Sequence, residues 1–481
     1  MQFDFIKGLS VFVLLFISPI TYSGGVSPYL SVNLSPLLEN EVERLTAISG
    51  MSNLSRPYSL ASILNHMNKV RESHPQLYRR LKKALKPYIR AHSITQLSAS
   101  ARVSQDHHVT ANQRGNYTDS HFNVSFRSQL KINNWLGVFI GGDLTQYKDN
   151  QLDSEIQASG SMIALGTDWA QIDIGYKDIW LSPFKGSAQL LSTQAKTMPS
   201  ISLSNNLQLE TFGVKWNYNM FLAQMSRQQV QFKPGEFSNK DKPLLSGMHL
   251  NFQLSDRVSI GASRVFQFGG GERSLSEKKL IKAFFDLSGT DNEAAVEQGS
   301  GNQIMALSSK INFNGSLPFS LTVELAGEET SNTQAWQLGN TALTAGLYFP
   351  YLFTDNLSFN YEYSSWQIDG YSNDVYQDGY VNDGVVLGHW AMQPQRKLKT
   401  ATPGNTHFLQ MYWQFNSNDI FSTTLRTAHL QSTTQVNYSD AWELKLDYST
   451  SWHSHIVTMG IYLGQDSFGE NFSQLNLSWE L

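Results

Sequence analysis

The 481-residue chain contains no cysteine, which excludes disulfides, thiolate metal sites and a cysteine nucleophile. It is also short of charge. Only 16% of its residues are Asp, Glu, Lys or Arg, against roughly 25% in ordinary soluble domains. The net charge of −4 and pI near 6.3 leave no basic footprint for nucleic acid. After the first residues no apolar run reaches the roughly 20 residues of a membrane-spanning helix, and mean hydropathy is −0.31. Uncharged polar residues fill the gap, and aromatics reach 12%. Such a composition points away from two or three soluble domains and toward extensive β-structure with wet surfaces.

Residues 1–23 read as a secretory leader. Lys7 precedes an apolar stretch from Leu9 to Ile17, Pro19 breaks it, and Thr21-Tyr22-Ser23 offers a cleavage site. The alternative is an N-terminal membrane anchor, for which the apolar stretch is short. The chain is expected to be exported, and any membrane it enters it must cross as strands.

Residues 24–91 read as a helical segment. Ser35-Pro36 opens a helix with Leu38, Val42, Leu45 and Ile48 on one face, and Gly50 ends it. Leu60, Ile63, Leu64 and Met67 form a second stripe. Pro75 opens a third helix with Leu77, Leu81, Ala84 and Leu85 inward, closed by Pro87. Lys69, Arg71, Arg79, Arg80, Lys82, Lys83 and Lys86 crowd the last two. They read either as a solvated face or as a surface for a membrane or an anionic ligand.

From residue 92 to 481 the period becomes two. At the C-terminus Leu475, Leu477, Trp479 and Leu481 alternate with Asn476, Ser478 and Glu480, the pattern of a strand with one face on lipid and one on a wet lumen. Leu481 stands where such barrels usually end on an aromatic. Eighteen strand candidates begin near 93, 118, 136, 155, 169, 207, 218, 244, 257, 302, 318, 341, 356, 406, 419, 440, 452 and 471. The run Pro199 to Ser204 is read as loop. Every second link is tight, as at Asn133-Asn134, Thr167-Asp168, Ser255-Asp256 and Asn314-Gly315, whereas 179–206, 229–243, 269–301 and 367–405 are long. That sorting matches short periplasmic turns and long external loops.

The expected fold is therefore an all-β membrane protein. It is an antiparallel outer-membrane barrel of about 18 strands, with a small helical bundle at its periplasmic end. A soluble all-β protein is the alternative. Aromatics near strand ends, including Tyr348-Phe349-Pro350-Tyr351 and Tyr412-Trp413, suit an interfacial girdle.

The best candidate site is the loop 366–405. It carries Trp366, Tyr371, Tyr376, Tyr380 and Trp390 among Asp369, Asp374, Asp378 and Asp383, with Arg396 nearby. Rings stack on sugar C–H faces, and carboxylates, amides and Arg396 hydrogen-bond hydroxyls. The competing reading is that the rings pack this loop into a plug. The Asp spacing lacks the order of a calcium loop, so no metal and no cofactor is expected. In loop 269–301, Arg273, Lys278, Lys279 and Lys282 either meet acidic sugars or belong to a structural lid. The run GGGER at 269–273 lacks the Lys-hydroxyl pair of a phosphate loop. Glu324, Glu328 and Glu329 with Asp374 or Asp378 would serve a hydrolase only at the right separation. A saccharide porin is a further alternative, since eighteen strands enclose an aqueous channel.

Several segments resemble one family. They are LSPLLENEVERLTAISGMSNLSRPYSL, IWLSPFKGSAQLLSTQAKTMPSISLSNN, ASRVFQFGGGERS, FFDLSGTDN, SGNQIMALSSKINF, TVELAGEE and YSNDVYQDGYVNDGVVLGHWA. In this order and spacing they resemble the capsule assembly protein Wzi family of outer-membrane proteins, across nearly all of the chain after residue 23. The resemblance implies an 18-stranded barrel with a periplasmic helical bundle and a lectin-like, non-enzymatic role. In that role the protein tethers capsular or extracellular polysaccharide to the cell surface, as a monomer in contact with outer-membrane lipid. Asn373 replaces a histidine of the family pattern, and Gln393-Pro394 replaces a more acidic continuation, so the sugar identity is not implied.

Overall fold

The computed structural model describes residues 25–147, 154–233, 235–270, 301–329, 338–367, 371–373, 375–453 and 455–481. The expected leader, Arg273, Lys278, Asp369 and Asp374 lie outside these described residues.

Eighteen antiparallel strands form a closed barrel. The first, His92–Gln105, pairs on one side with Ser120–Lys131 and on the other with the last, Asn471–Glu480, where Ala101 faces Leu477 and Ala99 faces Trp479. Closure leaves no unpaired edge. Alternation sets the two faces. Phe122, Ile140, Leu307, Leu343, Leu475 and Leu477 are exposed on the outside, while Ser308, Lys310, Glu324, Thr344, Glu362, Glu443 and Asp447 are buried toward the lumen. No described helix is long and apolar enough to cross a membrane.

The strand count is as expected, but its composition differs on one side. Ser200–Ser204, expected to be loop, is a wall strand: Ile201 pairs with Ile174 on one side and with Leu222 on the other. The strand expected near 207 belongs to the same sheet but has no wall position of its own. Leu209–Thr211 instead folds back on the start of Val214–Gln224 as a hairpin arm. The two differences cancel. Their cause is length, because Met162–Gly166, Gln171–Gly175 and Ser200–Ser204 are five residues each, too short for alternation to declare itself.

Four helices fill the end of the barrel that carries the tight turns: α1 Pro36–Ile48, α2 Leu60–Lys69, α3 Pro75–Ala84 and α4 Lys86–Ile89. The Ser59 hydroxyl caps α2 by accepting from the Ser62 amide. Pro87 does not close the third helix as expected. The break comes at Leu85, and Pro87 sits in the first turn of α4, where its missing N–H costs nothing. Leu30, Leu45, Ile63, Leu77, Leu81 and Leu85 share one buried cluster, each fully buried aliphatic side chain contributing about 1.5–3 kcal/mol.

The wall grips this cap through inward polar groups. Tyr412 donates to Glu39 at 2.5 Å, Ser358 to Asn40 at 2.6 Å, Lys310 to Asn53 at 2.7 Å and Gln253 to the Gly50 carbonyl at 2.8 Å. Arg44 lies over the Tyr351 ring. The aromatic clusters therefore divide by pleat. Tyr412 and Tyr351 turn inward to hold helices, while Trp413, Trp135, Trp169 and Trp452 are exposed beside the tight turns, where a girdle belongs.

Candidate functional site: the loop-closed end of the barrel

The segment between strands Gln171–Gly175 and Ser200–Ser204 runs through the lumen, with Trp180, Leu181, Leu190 and Leu191 buried. Its backbone has no sheet partner over most of its length, so the wall supplies one. Glu362 accepts the amides of Lys185 at 2.7 Å and Gly186 at 3.0 Å. Glu324 accepts the Ser182 hydroxyl at 3.1 Å, and Gln189 donates to Thr344 at 3.1 Å. Position 186 must be glycine, because the Phe408 ring occupies the space a Cβ would need. At its inner end the Trp180 amide donates to the Arg56 carbonyl at 3.0 Å, with the reciprocal bond at 2.9 Å. The lumen plug and the helical cap thus meet.

The loop 371–403 packs onto this plug. The Ser192 hydroxyl donates to the Gly388 carbonyl at 2.7 Å, and the Tyr371 hydroxyl donates to the Gln189 carbonyl while accepting the His389 amide. Trp366, Tyr371, Tyr380 and Trp390 fall in one buried core with Leu181, Leu190 and Leu387. Tyr376 packs separately against Val230 and Val375 and donates to the Gly269 carbonyl at 3.0 Å. All five rings are between 0% and 7% exposed, so they hold the loop in place and present no open face. Arg396 is buried with them and donates to the Thr400 carbonyl at 2.7 Å.

Of the other site candidates among the described residues, Asp378 and Asp383 are exposed. The two departures from the family pattern have local structural roles. Asn373 accepts the amides of Val375 and Tyr376 at 2.8 and 3.3 Å, and Gln393 accepts the Val386 amide at 2.9 Å. The buried His389 imidazole is pushed down to about 3, first by burial and then by the Arg426 cation.

Asp383 leads to a polar rim that sequence reasoning missed. Lys196 Nζ bridges Asp383 and Glu155, the latter at 2.5 Å. Burial opposes its charge, but the two carboxylates outweigh that and hold it above the usual lysine range. Beside it Tyr117 stacks on the exposed His107 at 3.9 Å between ring centres, and His107 Nδ1 lies 2.9 Å from Asp119.

Beneath the rim a chain of ion pairs fixes the backbone. Arg114 pairs with Asp178 and lies 3.8 Å from Asp143, which pairs with Arg127 at 2.9 Å. Thr197 donates to Asp178 at 2.5 Å. Burial opposes the Asp178 charge, yet Arg114 holds this carboxyl below its ordinary value. Gly160 leaves the room that the Arg127 guanidinium occupies. Chemically the rim offers carboxylates, a cation and aromatic edges on a rigid support, the set that hydrogen-bonds sugar hydroxyls. These partly exposed pairs contribute about 0–1 kcal/mol to stability each, so exchanging them for a ligand costs little. No alternation or motif marks His107, Tyr117, Asp119, Glu155 and Lys196. They lie in four stretches of chain joined only by the fold.

Of the carboxylates considered for a hydrolase, Glu324, Glu328 and Asp378 have structural partners. Glu324 anchors the plug, Glu328 accepts Asn340 at 2.6 Å, and Asp378 sits on the exposed loop accepting the Gln229 amide at 3.4 Å. Among the described residues no group of three or more His, Asp or Glu is arranged for a metal ion. Between cap and plug lies a polar chamber of about 340 Å³, lined by Arg102, Arg426, Lys445, Asp447, Asn476 and Glu480 among others.

Residues 90–468 match the family of the capsule assembly protein Wzi. The chain belongs to that family. Among solved structures, Wzi of Escherichia coli is 16% identical and aligns over 95% of this chain and 99% of its own, with a TM-score of 0.69. That protein is described as an outer-membrane protein involved in group 1 capsule assembly and as a carbohydrate-binding β-barrel. Pseudomonas aeruginosa OpdQ and OpdO, each 10% identical, cover 81% and 80% of this chain and 96% and 95% of their own, with TM-scores of 0.43 and 0.47. Likeness at that level carries no argument. No curated protein matches this Wzi-family chain by sequence.

Proposed function

We propose that this Wzi-family chain is a non-enzymatic lectin of the outer membrane. It binds capsular or extracellular polysaccharide at its loop-closed end and tethers the polymer to the cell surface during capsule assembly. In this reading a leader over 1–23 is removed, residues 24–91 face the periplasm, and the barrel of 92–481 spans the membrane as a monomer with its long loops outside. The observation that carries the reading is a capsule-assembly barrel filled at both ends by its own chain. Such a barrel has little room for transport and leaves the loop surface as the place to hold a polymer. Asp378, Asp383, Lys196, Tyr117 and His107 are the groups proposed to meet it. Trp366, Tyr371, Tyr376, Tyr380, Trp390 and Arg396 act by fixing the loop beneath them, and Arg273 and Lys278 are proposed as further contacts in the 269–301 loop.

Cells lacking the chain are expected to make polymer in normal amounts and shed it into the medium. Arrested synthesis, or attachment that does not change, would end the tether reading. The polar chamber favours one second reading, a narrow saccharide channel. Planar bilayers separate the two: steady ohmic conductance supports the channel, and its absence supports the lectin.

A further inference from the structure

The helical cap carries a surface that the loop-end reading does not use. Between residues 60 and 92 the sequence has eight Lys and Arg and a single acid, Glu72. Arg80 is paired with Glu41 at 2.6 Å. The other seven, Lys69, Arg71, Arg79, Lys82, Lys83, Lys86 and Arg90, are exposed, and none of them is in an ion pair among the described residues. Arg79, Lys82, Lys83 and Lys86 follow one another along α3 and into α4, a row about 10 Å long at 1.5 Å per residue. Arg71 and Lys82 flank the Tyr78 ring at 5.6 and 5.9 Å. The acids facing the patch come from the tight turns, Asp256 near Lys69 and Asp355 near His74. Lys215 adds a further positive charge beside Lys69.

The direction of this face narrows its occupant. The α3–α4 segment starts at His74, stacked on Tyr351, and ends where Gln129 donates to the Tyr88 and Arg90 carbonyls. Those two wall positions lie on nearly opposite sides of the closed barrel. The helices therefore cross the mouth, and their outer face looks along the barrel axis, away from the lipid around the wall. Among large apolar side chains in residues 60–92 only Ile89 is exposed. A lysine-rich face without an apolar centre is unlike a stable protein–protein interface. It suits a flexible polyanion held by long-range attraction.

We infer that this cap face binds an acidic polysaccharide, a chain bearing uronate or phosphate groups, as a second polymer contact at the opposite end of the barrel from the loop rim. The contact is electrostatic, so it weakens as salt shortens the screening length from about 10 Å at 0.1 M to about 3 Å at 1 M. It stands independently of the loop-end lectin, and variants at each end tell the two apart.

The test uses the full chain in detergent with short polygalacturonate as probe and dextran as the uncharged control. The triple variant Lys82→Glu, Lys83→Glu, Lys86→Glu is compared with Lys196→Ala at the loop end. The expected result is at least a tenfold loss of polygalacturonate affinity in the triple variant and loss of binding at 1 M salt. Lys196→Ala retains the cap contribution, and dextran shows no cap-dependent binding. Unchanged affinity in the triple variant overturns the inference, as does cap-dependent binding of dextran. Preferential capture by phosphatidylglycerol vesicles overturns it in favour of a membrane surface. If the reversal set fails to fold, Lys82→Gln, Lys83→Gln, Lys86→Gln carries the same test, with a smaller loss expected.

Discussion

At the tight-turn end the lumen is closed by four helices that satisfy most of their own backbone and share their own apolar core. At the other end it is closed by two irregular segments whose core is shared with the wall and whose amides lean on Glu362 and Gln395, while the Gln189 side chain donates to Thr344 of the wall. The contrast shows what the inward polar residues are for. A helix closes its hydrogen bonds locally, so the wall needs only to grip it at points such as Tyr412 and Lys310. An irregular segment inside a barrel brings unpaired amides with it, and buried carboxylates on the wall are the partners that make its burial affordable.

Substitutions that strike one closure and spare the other test whether the two ends are independent. The largest effect is expected from Trp366→Ala. It removes a buried indole and the donor to the Thr402 carbonyl, at about 3–5 kcal/mol of loop-end stability. Limited proteolysis should then cut within 371–403 while the cap stays protected. Simultaneous opening of the cap would show that the two closures act as one. Leu45→Ala in α1 should cost the cap about 2–5 kcal/mol, exposing residues 36–89 to protease and sparing the loops.

Acid should act on one end more than the other. His389 titrates near 3 in the fold against an ordinary value of 6.5, so the unfolded loop binds the extra proton between those values. Loop-end stability is therefore full above pH 6.5 and declines as pH falls toward 3. Hydrogen exchange of residues 385–400 should accelerate over that window, and His389→Gln should flatten the dependence. His66 in the cap is likewise lowered to about 4 by burial, so an equal acceleration there would weaken the contrast.

The barrel was legible because its alternation is long. Strands such as Asn471–Glu480 announce both faces, and the tight links sort by parity. The five-residue strand Ser200–Ser204 was not legible, since a short polar stretch reads the same in a loop. The helical stripes of Leu45, Ile63 and Leu81 were readable for the same reason as the long strands: their period repeats. At the site, residue type suggested sugar stacking by Trp366, Tyr371 and Tyr380, yet composition does not say which way a ring faces. Packing against Leu181 and Leu190 decides that. Lys196 and Asp383 lie 187 residues apart, and no local signal joins them.

The most direct test of the tether is to place Glu155→Ala, Lys196→Ala and Asp383→Ala together in cells, confirm that the barrel is folded in the outer membrane, and measure polymer bound to cells against polymer in the medium. Stability should fall by about 1 kcal/mol or less for each of these partly exposed pairs. Total polymer should be unchanged, with most of it shed. Polymer that stays on the cells in wild-type proportion would overturn the tether.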